Sequence, residues 1–129
     1  MKQLLILILF FLSNIAIGQM DVVKPEKSVF QRPEYVGGDE AIIKTIKNNL
    51  KFPESAVRDK VYGVVKLGFT VDTSGFIKDI EVLKSVRKDL DNEAIRLLKL
   101  LKNWLPAYED GIKKDAKMTL PFRFYPNKS

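Results

Sequence analysis

The stretch VYGVVKLGFTVDTSGFIKDIEVLKS, residues 61–85, decides the fold. Val65, Leu67, Phe69 and Val71 alternate with Lys66, Gly68 and Thr70. A period of two places one set of side chains on a buried face and the other towards solvent, which is the pattern of a strand. Asp72-Thr73-Ser74-Gly75 supplies turn chemistry, with Gly75 free to take a positive φ. The segment after the turn alternates more weakly, with Ile80 and Val82 to one side and Asp79 and Glu81 to the other. The two runs predict a β-hairpin.

On either side the period changes to that of a helix. Upstream, Ala41, Ile42, Ile43, Ile46 and Leu50 recur at helical spacing, with Lys44, Lys47 and Lys51 opposite. Asp39 reads as an N-cap or first-turn acid. Pro53 ends the helix, because the residue before a proline is pushed out of the α region. Residues 54–59 have room for a single helical turn. Downstream, Leu90, Ala94, Leu97, Leu98, Leu101, Trp104 and Leu105 form an apolar stripe that predicts a helix running to Pro106. Asp110-Gly111 marks a turn. Ala116 to Tyr125 reads as a last strand, with Met118, Leu120, Phe122 and Phe124 on one face. The fold class is therefore α+β in the order helix-strand-strand-helix-strand. Two helices pack on one face of a three-stranded antiparallel sheet.

Such a sheet has two edges, and native proteins either blunt edges or use them to add strands. The last strand is expected at an edge. Pro121 lies inside it and lacks a donor, so its N side should face away from any pairing, or the strand should bulge there.

The chain of 129 residues fits one domain, and its 46% apolar and 29% charged content is that of a globular protein. It has no Cys and no His, which excludes disulfides, thiolate nucleophiles, Cys-based zinc sites and His-based general bases. The opening MKQLLILILFFLSNIAIGQ has a positive residue, an unbroken apolar run from Leu4 to Leu12, and the small-residue pattern Ala16-Ile17-Gly18. That is the layout of a signal peptide over residues 1–18, cleaved before Gln19. Leu4 to Gly18 spans only 15 residues against the roughly 20 needed to cross a bilayer. An uncleaved inner-membrane anchor facing the periplasm is the alternative. Loss of Lys2 takes the formal charge from +6 to +5. Residues 19–33 read as an extended lead-in, and 34–126 as the domain.

Candidate chemistry is sparse. Asp89, Asp91 and Glu93 could be a carboxylate cluster, but residues two apart on a helix do not share a face, so first-turn capping is the better reading. Asp72 to Gly75 lacks the alternate acids of a calcium loop. Gly37-Gly38 lacks the context of a phosphate loop. Lys113, Lys114 and Lys117, with Arg87 and Lys88, could make a basic patch, but no aromatics interleave them as in single-strand nucleic-acid binders. Trp104 reads as core. No catalytic residue, metal, cofactor, nucleic acid or small-molecule substrate is indicated, and the chain is not read as an enzyme.

In order along the chain, PEYVGGDEAIIKTIKNNLKFPESA, YGVVKLGFTVDTSGFIKDIEVLKS, LDNEAIRLLKLLKNWLPA, DG and LPFRF resemble the TonB C-terminal domain. The resemblance covers about Pro33 to Tyr125. It rests on Phe52-Pro53 and Ala56, Gly63 and Val65, Phe69 and Val71, Gly75, Leu90-Asp91 and Ala94, Trp104 with Pro106, and Gly111. It implies a periplasmic interaction module that pairs, by strand addition at the last strand, with an extended segment of an outer-membrane transporter. The residues implied are Lys117, Met118, Thr119, Leu120, Phe122, Arg123 and Phe124. A second receptor-contact segment falls on Asn49, Leu50 and Lys51, where the better-known form carries Gln-Pro and this chain does not. An energy transducer also needs an anchor and a long Pro-rich linker. The lead-in of about 15 residues reaches at most roughly 45 Å at ~3.1 Å per residue. The expectation is a receptor-facing module without the motor connection. The alternative is an envelope structural protein that forms a homodimer, or binds another envelope partner, through its edge strand.

Overall fold

A computed structural model describes residues 27–126. The expected signal peptide and residues 19–26 of the lead-in lie outside the described residues. In chain order the elements are β1 (Phe30–Gln31), β2 (Glu34–Tyr35), α1 (Gly38–Asn49), α2 (Glu54–Arg58), β3 (Gly63–Val71), β4 (Ile77–Lys84), α3 (Lys88–Leu100), β5 (Trp104–Leu105), β6 (Ala107–Glu109), β7 (Ile112–Lys114) and β8 (Ala116–Phe124). The architecture is the expected α+β one. Its main sheet is antiparallel in the order β4-β3-β8.

The hairpin forms where the alternation places it. Val65, Leu67, Phe69 and Val71 of β3 are all buried. On β8, Phe122 and Phe124 are buried and Met118 and Leu120 pack against the same core. α3 lays Leu90, Ala94, Leu97 and Leu98 on this face, and α1 adds Ile42 from beside it. Each such aliphatic side chain removed from water contributes about 1.5–3 kcal/mol. The turn between β3 and β4 is tied by Asp72, whose carboxylate accepts the amides of Ser74 and Phe76, both at 2.9 Å. Gly75 sits there at φ +83°, and a Cβ on it would fall 2.5 Å from the Trp104 carbonyl oxygen. This turn therefore admits glycine on both conformational and steric grounds.

The helix expected to reach Pro106 ends at Leu100 instead. Leu101 is already extended, and Trp104–Leu105 pair as β5 with Glu34–Tyr35. The Asn103 carbonyl accepts the Val36 amide at 2.9 Å. Strand pairing with Glu34–Tyr35 takes this turn away from the helix, so tertiary hydrogen bonding overrides the apolar periodicity. Trp104 is buried as expected, but from a strand. Its ring meets Tyr35 edge-on with centroids 5.0 Å apart and lies 5.4 Å from Phe69.

A second sheet of three short strands, β1-β6-β7, also joins the lead-in to the C-terminal half: Phe30 faces Glu109, and Gln31 faces Tyr108. The turn at Asp110-Gly111 links β6 to β7. The Asp110 carboxylate accepts the Val29 amide at 2.9 Å.

The first-turn acids of α3 do different work from one another. Asp91 accepts the Val86 amide at 3.1 Å and the Ser85 hydroxyl, which holds the entry to the helix. Asp89 is paired with Arg87 at 2.7 Å and accepts the Ser55 hydroxyl at 2.6 Å, tying α2 to α3. Glu93 is not a cap. It is 7% exposed, and it accepts the Lys51 amide and a bidentate pair from Arg96.

Candidate functional site: the open edge of the main sheet

β3 is the central strand, so β4 and β8 each present one unpaired edge. The two edges differ. β4 meets β3 with two register shifts, and Asp79 adopts φ +54° within it. Bulges of this kind twist an edge out of line and blunt it against further pairing. β8 keeps an unbroken register with β3 from Ala116 opposite Val71 to Phe124 opposite Gly63. Its nine residues alternate cleanly between half-buried or buried and exposed.

The proline fixes which backbone groups face outward. A residue in an antiparallel strand directs its N–H and C=O to the same side, and successive residues alternate. Pro121 has no donor, and the ladder to β3 is uninterrupted, so Pro121 turns its backbone to the open edge. Lys117, Thr119 and Arg123 share its parity. Their amides and carbonyls point to the open side, and their side chains lie exposed on the outer face of the sheet. Met118, Leu120, Phe122 and Phe124 bond to β3 and turn their side chains inward. The seven expected edge residues thus divide into three whose backbone faces the open edge and four that bond to β3.

Beside the N-terminal half of this edge runs a groove of about 720 Å³. Met118, Thr119 and Leu120 form one wall, and Arg32 to Asp39, Ile42, Trp104 and Leu105 form the other. The Arg32 guanidinium lies on its rim, 3.9 Å from the Met118 sulfur. The second wall consists largely of the Pro-Glu-Tyr-Val-Gly-Gly segment. Hydrophobic periodicity is silent about that segment, because it enters no long element. The paired glycines were the available signal: Gly37 at φ +90° and Gly38 at φ +72° bend the chain from β2 into α1.

Asn49, Leu50 and Lys51 lie at the far end of α1, about 18 Å from its start for twelve residues. Their backbone is tied to α3: the Asn49 carbonyl accepts Arg96 Nη2 at 2.6 Å, and the Lys51 amide donates to Glu93 at 2.7 Å. Leu50 lines a separate cleft of about 360 Å³ with Phe52, Val57, Tyr62, Tyr125 and Pro126. The structure therefore does not bring this segment into the β8 groove; α1 connects the two.

The lysines and arginines that could make a basic patch do not all gather in one place. Arg87 is paired with Asp59 and Asp89, and Lys114 with Glu109. Val86, next to Arg87, packs at Gly63, the opposite end of the sheet from Lys117. The Arg87 guanidinium holds the Asp89 carboxyl well below the usual carboxylate range and lowers Asp59 as well. Among the described residues no group of three or more acidic side chains could hold a metal ion, and no helix is long and apolar enough to cross a membrane.

A family model described as the Gram-negative bacterial TonB protein C-terminal matches residues 48–126. Two solution structures of the Helicobacter pylori TonB C-terminal domain are similar to the chain, both at 20% identity. The longer covers 68% of this chain and 79% of its own with a TM-score of 0.52. The shorter covers 67% and 90% with a TM-score of 0.50. At that identity the likeness establishes the fold. No curated protein matches the chain.

Proposed function

The chain belongs to the TonB C-terminal family, and from that premise we propose that it binds extended peptide segments of outer-membrane transporters by strand addition along β8, in TonB-dependent transport. One observation carries the reading. β8 is a nine-residue edge strand with an unbroken inner ladder, its backbone at Lys117, Thr119 and Arg123 faces outward, and Met118, Thr119 and Leu120 line a partly apolar groove. The opposite edge of the same sheet is bulged and ill suited to the same use. An added strand would take hydrogen bonds from the β8 backbone and specificity from the pockets beside it. The Asn49–Lys51 segment, at the other end of α1, is proposed as a second contact. The proposed location is the periplasm, after removal of residues 1–18.

The test is amide hydrogen exchange on the chain from Gln19 onward, with and without a transporter-segment peptide. Strand addition slows exchange at Lys117, Thr119 and Arg123. It leaves Met118, Leu120 and Phe122, already bonded to β3, little changed. No added protection at the outward amides overturns this binding mode. A mass that rises with concentration, without peptide binding, favours self-association through the same edge.

A further inference from the structure

The edge has two chemically distinct sides, and a strand added to it is read by both. Side chains of an added strand that stand level with Met118 and Leu120 turn inward. There the groove offers Tyr35, Ile42 and Trp104. Side chains level with Lys117, Thr119, Pro121 and Arg123 turn to the outer face of the sheet.

That outer face is cationic along β8. Lys117 and Arg123 are exposed at either end of the run, and Lys66, the β3 partner of Pro121, is exposed behind its middle. Among the described residues none of the three forms an ion pair. The acids on this face, Asp79 and Glu81, belong to β4; Glu81 faces Gly68, which in turn faces Thr119, and both acids line one cleft of about 390 Å³ with Lys117 and Thr119 without pairing with Lys117. Lys78, in the row of Lys117, is already paired with Asp115 at 2.7 Å. No acidic side chain of β8 itself balances Lys117 or Arg123.

We infer that the β8 edge selects an alternating peptide with apolar side chains inward, level with Met118 and Leu120, and carboxylates outward, level with Lys117 and Arg123. The two carboxylates then stand six residues apart. The missing donor of Pro121 leaves one carbonyl of the peptide to water between them. This inference rests on the strand-addition reading and adds to it the chemical class of the peptide.

The probes are two capped peptides, Glu-Val-Thr-Val-Thr-Val-Glu and Gln-Val-Thr-Val-Thr-Val-Gln. Both read the same in either strand direction, so the orientation of the added strand does not matter. Each is titrated into the chain from Gln19 onward at low ionic strength, and the outward amides are followed by NMR. The Glu peptide is expected to bind about three- to tenfold more tightly, the size expected of two exposed ion pairs. The preference should shrink as salt rises. It should vanish in a Lys117→Gln/Arg123→Gln variant, whose exposed positions leave the fold intact. Equal binding of the two peptides, or a preference that survives the double substitution, overturns the inference while strand addition stands. Binding of neither peptide overturns both.

Discussion

The backbone amide of Lys51 donates a 2.7 Å hydrogen bond to Glu93, 42 residues further along the chain. The same carboxylate holds Arg96 in a bidentate pair, and Arg96 reaches the Asn49 carbonyl at 2.6 Å. Three polar groups at the exit of α1 thus depend on one buried side chain. Removing it leaves an amide without its acceptor and a guanidinium without its counter-charge. Glu93→Ala is expected to destabilise the fold by about 2–3 kcal/mol, less than for a fully buried pair because Arg96 is 40% exposed. Glu93→Gln keeps an acceptor for Lys51 and should lose roughly half as much. Urea midpoints at constant slope check both. Equal losses would mean that the ion pair matters and the Lys51 bond does not.

Glu93 also shows where a sequence stops being legible. Its position in the first turns of α3 supports a capping role, and helical spacing alone cannot reveal that it faces the end of another helix. The main sheet and the two long helices were legible because long elements carry their own periodicity: Val65 to Val71 alternate, and Leu90 to Leu98 recur at helical spacing. β1, β2, β5, β6 and β7 have two or three residues each and are too short to show a period. They exist because residues 30–35 pair with residues 104–109, a long-range event, and β7 folds back on β6. The same pairing shortened α3 and built the second wall of the groove. The β8 edge was legible from chain order and Pro121, whereas the wall at Arg32 to Asp39 was not.

Gly75 tests the packing of the hairpin turn on β5. A Cβ there meets the Trp104 carbonyl oxygen at 2.5 Å, and the backbone sits at φ +83°. Gly75→Ala adds left-handed strain of about 1–2 kcal/mol and a clash with backbone, which cannot swing aside as a side chain can. The expected loss is about 2–4 kcal/mol, read as a lowered urea midpoint. Gly111 has φ +81° but open space at its Cβ. Gly111→Ala should cost only the strain, about 1–2 kcal/mol. Equal losses would remove the steric argument.

The ion pairs at the start of α3 predict an acid transition. Arg87 lowers Asp89 and Asp59, and Lys78 lowers Asp115. A carboxyl lowered in the folded state binds its proton more readily when unfolded. Its stabilising contribution is therefore complete above the unfolded value near pH 4, and it is lost as pH falls through the lower folded value. Urea midpoints should be level from about pH 7 to 5 and fall below about pH 4. Asp89→Asn should lower stability at neutral pH and flatten that acid decline, so the two curves approach each other. A constant gap down to about pH 2 would show that Asp89 acts through its neutral hydrogen bonds alone.

Pro121 is the residue at which edge function and edge protection meet. It stands opposite Lys66 in an unbroken register, exposed, with its donorless nitrogen turned outward. Pro121→Ala removes nothing from the ladder to β3, so stability should change by no more than about 0.5 kcal/mol. It does give the open edge one more donor, between those of Thr119 and Arg123. A peptide added there gains one hydrogen bond, worth about 0.5–1.5 kcal/mol, or about two- to tenfold in affinity. The same donor lengthens the run available to a second copy of the chain, so self-association should rise as well. Calorimetric titration with the Glu-Val-Thr-Val-Thr-Val-Glu peptide checks the first effect, and light scattering across a range of protein concentrations checks the second. If Pro121 instead turned its nitrogen towards β3, the substitution would stabilise the fold and leave both kinds of association unchanged. The two arrangements of β8 are thereby separated without a bound partner having to be seen.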